Sequence, residues 1–169
     1  MMLILAALVG LLGGLASVGF RELIRGVQRG AWGEGSYTLE LVRSHPWWWV
    51  VLAPAVGGLI VGPIIHRWAR EARGHGVPEV MEAVALRGGF IRTRLVLIKT
   101  LTSAVTIGSG GSVGREGPIV HIGSAIGSVL GQWTRVSGAQ LRTLTACGAA
   151  AGIAGTFNAP VAGALFAVE

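Results

Sequence analysis

A chain of 169 residues could form one soluble domain, but 51% hydrophobic and 13% charged residues, with a mean hydropathy of +0.63, argue against it; globular domains carry roughly 25% charged residues. The net charge of +6, with no Asp, does not point to nucleic acid, because the Arg residues lie between apolar segments instead of forming a basic face. Cys147 is the single cysteine, in the small-residue run TACGAAAG, so an internal disulfide is excluded and no Cys/His metal spacing exists. No cofactor or metal is expected, and the chain is not read as an enzyme.

Uncharged runs frame the predicted elements: 1–20, 46–65, 100–114, 117–134 apart from His121, and 143–168. A spanning helix needs about 20 apolar residues. The first run is too long for a signal peptide and lacks a basic leader. It predicts a membrane helix continuing through FRELIRGVQRG to about Gly30. Residues 31–45 read as a loop. The next helix starts near Pro46, where Trp47, Trp48 and Trp49 predict an aromatic belt at a membrane interface.

Residues 66–99 hold seven Arg/Lys and residues 21–45 hold four, which places the 66–99 region in the cytoplasm and the 31–45 loop outside. VPEVMEAVALRGG (77–89) predicts a short helix entered through Pro78 and ended by Gly88 and Gly89. A helix over 93–107, a glycine break over 108–117 and a helix over 118–132 follow. TRVSGAQ is a polar connection with Ser137 as N-cap. After the helix AQLRTLTACGAAAGIAG, a break at TFNAP leads into VAGALFAVE, with Asn158 as the expected N-cap and Pro160 early in the helix. The sequence stops at Glu169 inside this apolar segment and reads as a fragment. The 28 glycines suit close helix packing in lipid.

The stretch GSGGSVGREGP (108–118) sets a carboxylate, Glu116, in a glycine-rich break. A nucleotide loop fails on spacing, since Gly114 comes one residue too late after Gly108 and is followed by Arg115 and Glu116; Val113 stands where a dinucleotide fingerprint needs glycine. A solvated surface turn is the plain alternative. The flanking runs are short, however, and a break between partial spans can sit at membrane depth, where irregular backbone must be buried or line a cavity. Helix starts present free N–H groups and partial positive charge, so Gly114, Gly117 and Pro118 predict an anion site with Glu116 at its mouth. GHGVPE (74–79) and FNAPVAG (157–163) are further helix starts of the same type. Broken helices facing one another are a transporter device.

Taken together, GHGVPEV (74–80), GREGP (114–118) within 108–127, and GAAAGIAGTFNAPVAGALFAVE (148–169) resemble the ClC family of chloride channels and chloride/proton antiporters. The resemblance covers essentially the whole chain, as the N-terminal half of the family's transport domain. It implies an all-α polytopic membrane protein with tilted, partly broken helices, resident in the plasma or inner membrane and homodimeric at full length. It implies transport of chloride or a similar small anion, as a gated channel or in exchange for protons. Glu116 would be the gating glutamate. Gly114, Arg115, Gly117 and Pro118 would line the outer anion site, and Gly74, His75, Gly76, Val77 and Pro78 the first selectivity segment. The family commonly has Ser where His75 stands; a His could donate N–H to the anion or point away. His121 reads as a packed helix residue. The rival reading is a non-transport membrane scaffold in which Glu116 is a solvated turn residue.

Overall fold

The computed structural model describes residues 1–35, 38–68 and 76–168. Gly74, His75 and Glu169 therefore lie outside the described residues. The described residues form eight helices and no strand: α1 (Met2–Trp32), α2 (Leu39–Ser44), α3 (Trp47–Trp68), α4 (Val77–Leu86), α5 (Thr93–Gly108), α6 (Glu116–Trp133), α7 (Gly138–Phe157) and α8 (Pro160–Val168). The all-helical reading holds. α1 and α3 are long and apolar enough to cross a membrane.

Three boundaries differ from the sequence reading. The 31–45 loop contains α2, six residues whose start is capped by Thr38, the Oγ1 accepting from the Leu41 N–H at 3.3 Å. α6 begins at Glu116 and not at Pro118. Pro118 stands third in the helix without penalty, because first-turn N–H groups have no partner within the helix. Asn158 ends α7 in a left-handed conformation (φ 54°) and its N–H donates to Ala154 O, so it caps the preceding helix instead of opening α8. Asn tolerates that conformation better than most residues. Ser137 does cap α7, in a full capping box with Gln140.

The tryptophans divide by environment. Trp47 and Trp48 are 80% and 48% exposed, as a belt requires. Trp49 turns inward, and its Nε1–H donates to Ala31 O at 3.0 Å, tying the start of α3 to the end of α1.

α6 is the centre of the bundle and packs on α1, α4, α5 and α7. Its contact with α7 is made by backbone. A Cβ on Gly123 would strike Gly148 O, one on Gly148 would strike Gly123 O, and one on Gly127 would strike Leu144 O. Gly152 fits against Ile119 O in the same seam. In lipid there is no hydrophobic drive between helices, so close van der Waals approach has to hold them. α1 joins this seam through Gly13, beside Ala151, and through Ser17, whose Oγ donates to Gly13 O at 3.0 Å and Gly152 O at 3.4 Å. Around it, Phe20, Ile24, Val80, Ala83, Val96, Ala104, Ile119, Val120 and Ala149 form the main core.

The turn between α4 and α5 is clamped from both α6 and α7. Gly89 O accepts from Ser128 Oγ (2.7 Å) and from Thr145 Oγ1 (2.9 Å), filling both lone pairs. Ser128 Oγ in turn accepts from the Ile91 N–H (3.0 Å) and from Gln132 Nε2 (2.9 Å).

The seam makes a prediction. Gly148→Ala forces a methyl group against a backbone carbonyl and is expected to destabilise the full-length protein by about 1–3 kcal/mol. Gly10→Ala, a position with open space around it, is expected to be neutral or mildly stabilising. Thermal unfolding in detergent compares the two.

Candidate anion site at two helix starts

The starts of α4 and α6 meet backbone to backbone. Gly76 is the N-cap of α4 with φ +91°, a conformation that favours glycine. A Cβ there would lie 2.5 Å from Gly117 O and 3.3 Å from Gly117 Cα. Val77 and Pro78 form the first helical positions behind it. Of the three helix starts singled out in the sequence, two are thus brought together. The third, at Pro160, belongs to a helix that packs along α7, with Gly163 against Ala150 O and Ala154.

Glu116 is the first residue of α6, with Arg115 as N-cap. Its side chain folds back over the preceding loop, and a Cβ on Gly114 would strike the Glu116 carboxylate. The absence of a side chain at Gly114 is what admits the carboxylate there. In this chain Gly114, Arg115 and Glu116 are exposed, Gly117 is half-buried and Pro118 is buried. The break is anchored at its other end. Ser109 is buried, donates through Oγ to Thr106 O at 3.0 Å, and fills space left by Gly57 on α3. The Gly111 N–H then donates to Thr106 O at 2.8 Å.

Each helix start carries about half a positive charge. Two in contact make a strong position for a small anion or a carboxylate, without a cationic side chain. Among the described residues, no group of three or more His, Cys, Asp or Glu side chains could hold a metal ion.

A second polar feature lies behind these starts, and sequence reasoning missed it. Glu79, in the first turn of α4, accepts from Lys99 Nζ of α5 at 2.6 Å; the Lys99 side chain is only 7% exposed. His121 of α6, read as a packed residue, places Nδ1 3.4 Å from the same Glu79 oxygen. Glu79 and His121 line a cavity of about 380 Å³, together with Glu82, Arg87, Phe90 and Arg92. The sequence signal was Lys99, set in the middle of α5 between apolar stretches, since a buried charge requires a partner.

The model of the voltage gated chloride channel family matches residues 57–169. The chain is 39% identical over 172 residues to a ClcB-like chloride channel protein of Ralstonia nicotianae, covering 99% of this chain and 40% of that protein. It is 35% identical over 173 residues to the H(+)/Cl(-) exchange transporter ClcA of Klebsiella pneumoniae, covering 99% and 35%. Among solved structures, a slow cyanobacterial Cl-/H+ antiporter superposes with a TM-score of 0.78 at 27% identity, covering 96% of this chain and 38% of that one. The chain therefore spans well under half the length of these relatives.

The meeting of helix starts is testable at Gly76. Gly88 has φ +64° with open space, whereas Gly76 has φ +91° and touches Gly117. Gly88→Ala is expected to cost about 1–2 kcal/mol, from backbone strain alone. Gly76→Ala should cost clearly more and weaken anion binding as α4 is pushed off α6. Thermal unfolding and calorimetric anion titration of the full-length protein read both effects.

Proposed function

Because this chain belongs to the voltage gated chloride channel family, we propose that it is the N-terminal half of a membrane transport domain that moves chloride or a similar small anion, gated by Glu116. The contact of Gly76 with Gly117 carries this reading, since it joins two helix starts into one electropositive position. Gly76, Val77 and Pro78 supply one wall of the anion path, and Gly74 and His75 belong to the same selectivity segment of the sequence. Gly114, Arg115, Gly117 and Pro118 supply the outer wall.

Glu116 acts by competition. As a carboxylate tethered at the start of α6, it is an anion already in place, and it excludes the transported one. Protonation removes its charge and its hold on the helix start, the side chain leaves, and the anion enters. Acid therefore opens the path. An ionisable group at such a position in a membrane protein is expected to serve function. The full-length protein is assigned to the plasma or inner membrane as a homodimer, with one anion path per subunit and lipid around it. Proton exchange accompanies anion movement in the relatives named as exchangers, and simultaneous proton and chloride flux measurements assign this protein to the exchangers or to the channels.

The competing reading is a membrane scaffold with Glu116 as a solvated turn residue, and it draws on the exposure of residues 112–116. Chloride efflux from liposomes containing the full-length protein separates the two. We expect saturable efflux that rises as pH falls. Glu116→Gln should give high efflux already at neutral pH and lose most of the acid stimulation. Efflux and pH dependence unchanged by Glu116→Gln would remove the gating role, and no efflux at all would favour the scaffold.

A further inference from the structure

We propose that Glu79 and His121 form a second proton-binding site, separate from Glu116, filled from the cavity beside α4, whose occupancy raises the affinity of the anion site. The proposal rests on the anion-transport reading above.

Three helices build this site. Glu79 is three residues past Gly76, about 4.5 Å along α4 from its N-cap. His121 is four residues past Gly117, about 6 Å along α6. Lys99 reaches the Glu79 carboxylate from α5. A carboxylate in the first turn of α4 opposes the very charge that makes this helix start attractive to an anion. Lys99 cancels it at 2.6 Å. The pair itself is neutral, and protonation of the third member adds one positive charge.

That member is His121. Its Nδ1 is buried, 3.4 Å from Glu79 Oε2, and makes no hydrogen bond. One turn on, Ser124 Oγ is also buried without a hydrogen-bond partner. In a neutral imidazole with its hydrogen on Nε2, Nδ1 turns a lone pair toward a carboxylate lone pair. Buried polar atoms are normally satisfied, and each exception calls for an explanation. A proton supplies one. Hydronium in the cavity gives a proton to the Nδ1 lone pair and leaves water. The new charge then lies 3.4 Å from Glu79 Oε2, and the cluster gains one positive charge. The route is short, because both Glu79 and His121 lie on the wall of the 380 Å³ cavity.

The other charges around His121 are accounted for. From α4, Glu82 and Arg87 pair with each other at the cavity (2.7 Å), and Arg92 before α5 completes that wall. α7 meets α6 through glycine backbone at Gly148 and Gly152, and its thiol, Cys147, packs with Leu5, Val9 and Leu144. On α1, Glu22 and Arg25 pair with each other and are about half exposed. Among the described residues, Glu79 and Lys99 are the ionic groups in direct reach of His121.

Chloride titration calorimetry on the full-length protein tests this in a Glu116→Gln background, where the first titratable gate is gone. We expect chloride affinity about tenfold tighter near pH 4 than near pH 8, since a positive charge placed within about 8 Å of the anion acts strongly at low dielectric. Adding His121→Gln should flatten the profile. Glu79→Gln removes the negative charge that favours the charged imidazole, so it moves the midpoint to lower pH. Lys99→Met removes a repelling charge and moves it to higher pH. These opposite shifts decide the matter even if His121→Gln fails to fold, because simple loss of packing would not move the midpoint in both directions. A flat Glu116→Gln profile, a slope that survives His121→Gln, or shifts of equal sign would overturn the proposal. Absence of saturable chloride binding in the unmodified protein would instead overturn the transport reading.

Discussion

Everything at the proposed anion site depends on one contact, the approach of Gly76 to the backbone of Gly117. Neither helix start alone is a site. α4 has only ten residues, and the start of α6 is partly exposed in this chain. Brought together, they set Gly76 against the Gly117 carbonyl with no room for a methyl group between them. The contact survives only if both helices are fixed from elsewhere. The glycine seam with α7 holds α6, and α7 is held in turn by α1 through Ser17. The Gly89 clamp holds α4.

This arrangement follows from the solvent expected around it. Lipid gives helices no reason to associate through apolar faces. The chain answers with small residues where backbones touch and with hydroxyl groups where carbonyls would be left open. The buried Lys99 is accordingly paired with Glu79, and truncating one partner of such a pair usually costs a few kcal/mol.

Much of the helical plan was legible because its signals are local. Uncharged length marks α1 and α3. Pro78 and Gly88–Gly89 mark α4, and Ser137 with Gln140 marks the start of α7. The errors were also local. Pro118 looked like a first helical residue, although the first turn accepts proline at its third position as well. Asn158 looked like an N-cap, although its backbone tolerance suits it equally to closing the helix before it. The candidate site was half legible: GREGP and GHGVP could be recognised separately, but nothing in one dimension says that Gly76 touches Gly117. Of the Glu79–Lys99–His121 cluster, the sequence offered Lys99 as a signal but not its partners. Its members are 20 or more residues apart on three helices, and only packing brings them together.

The Gly89 clamp has a mechanical consequence. Hydroxyl groups from α6 and α7 grip one carbonyl at the far end of α4, so that end cannot slide. A helix of ten residues is a rod about 15 Å long. Pinned at one end, it can only swing. A tilt of about ten degrees would move its other end by about 2.6 Å, given the same rod length. The clamp thus sets a pivot near Gly89, and it leaves the Glu79–Lys99 ion pair and the core contacts of Val80 and Ala83 to hold the other end of α4 against α5 and α6.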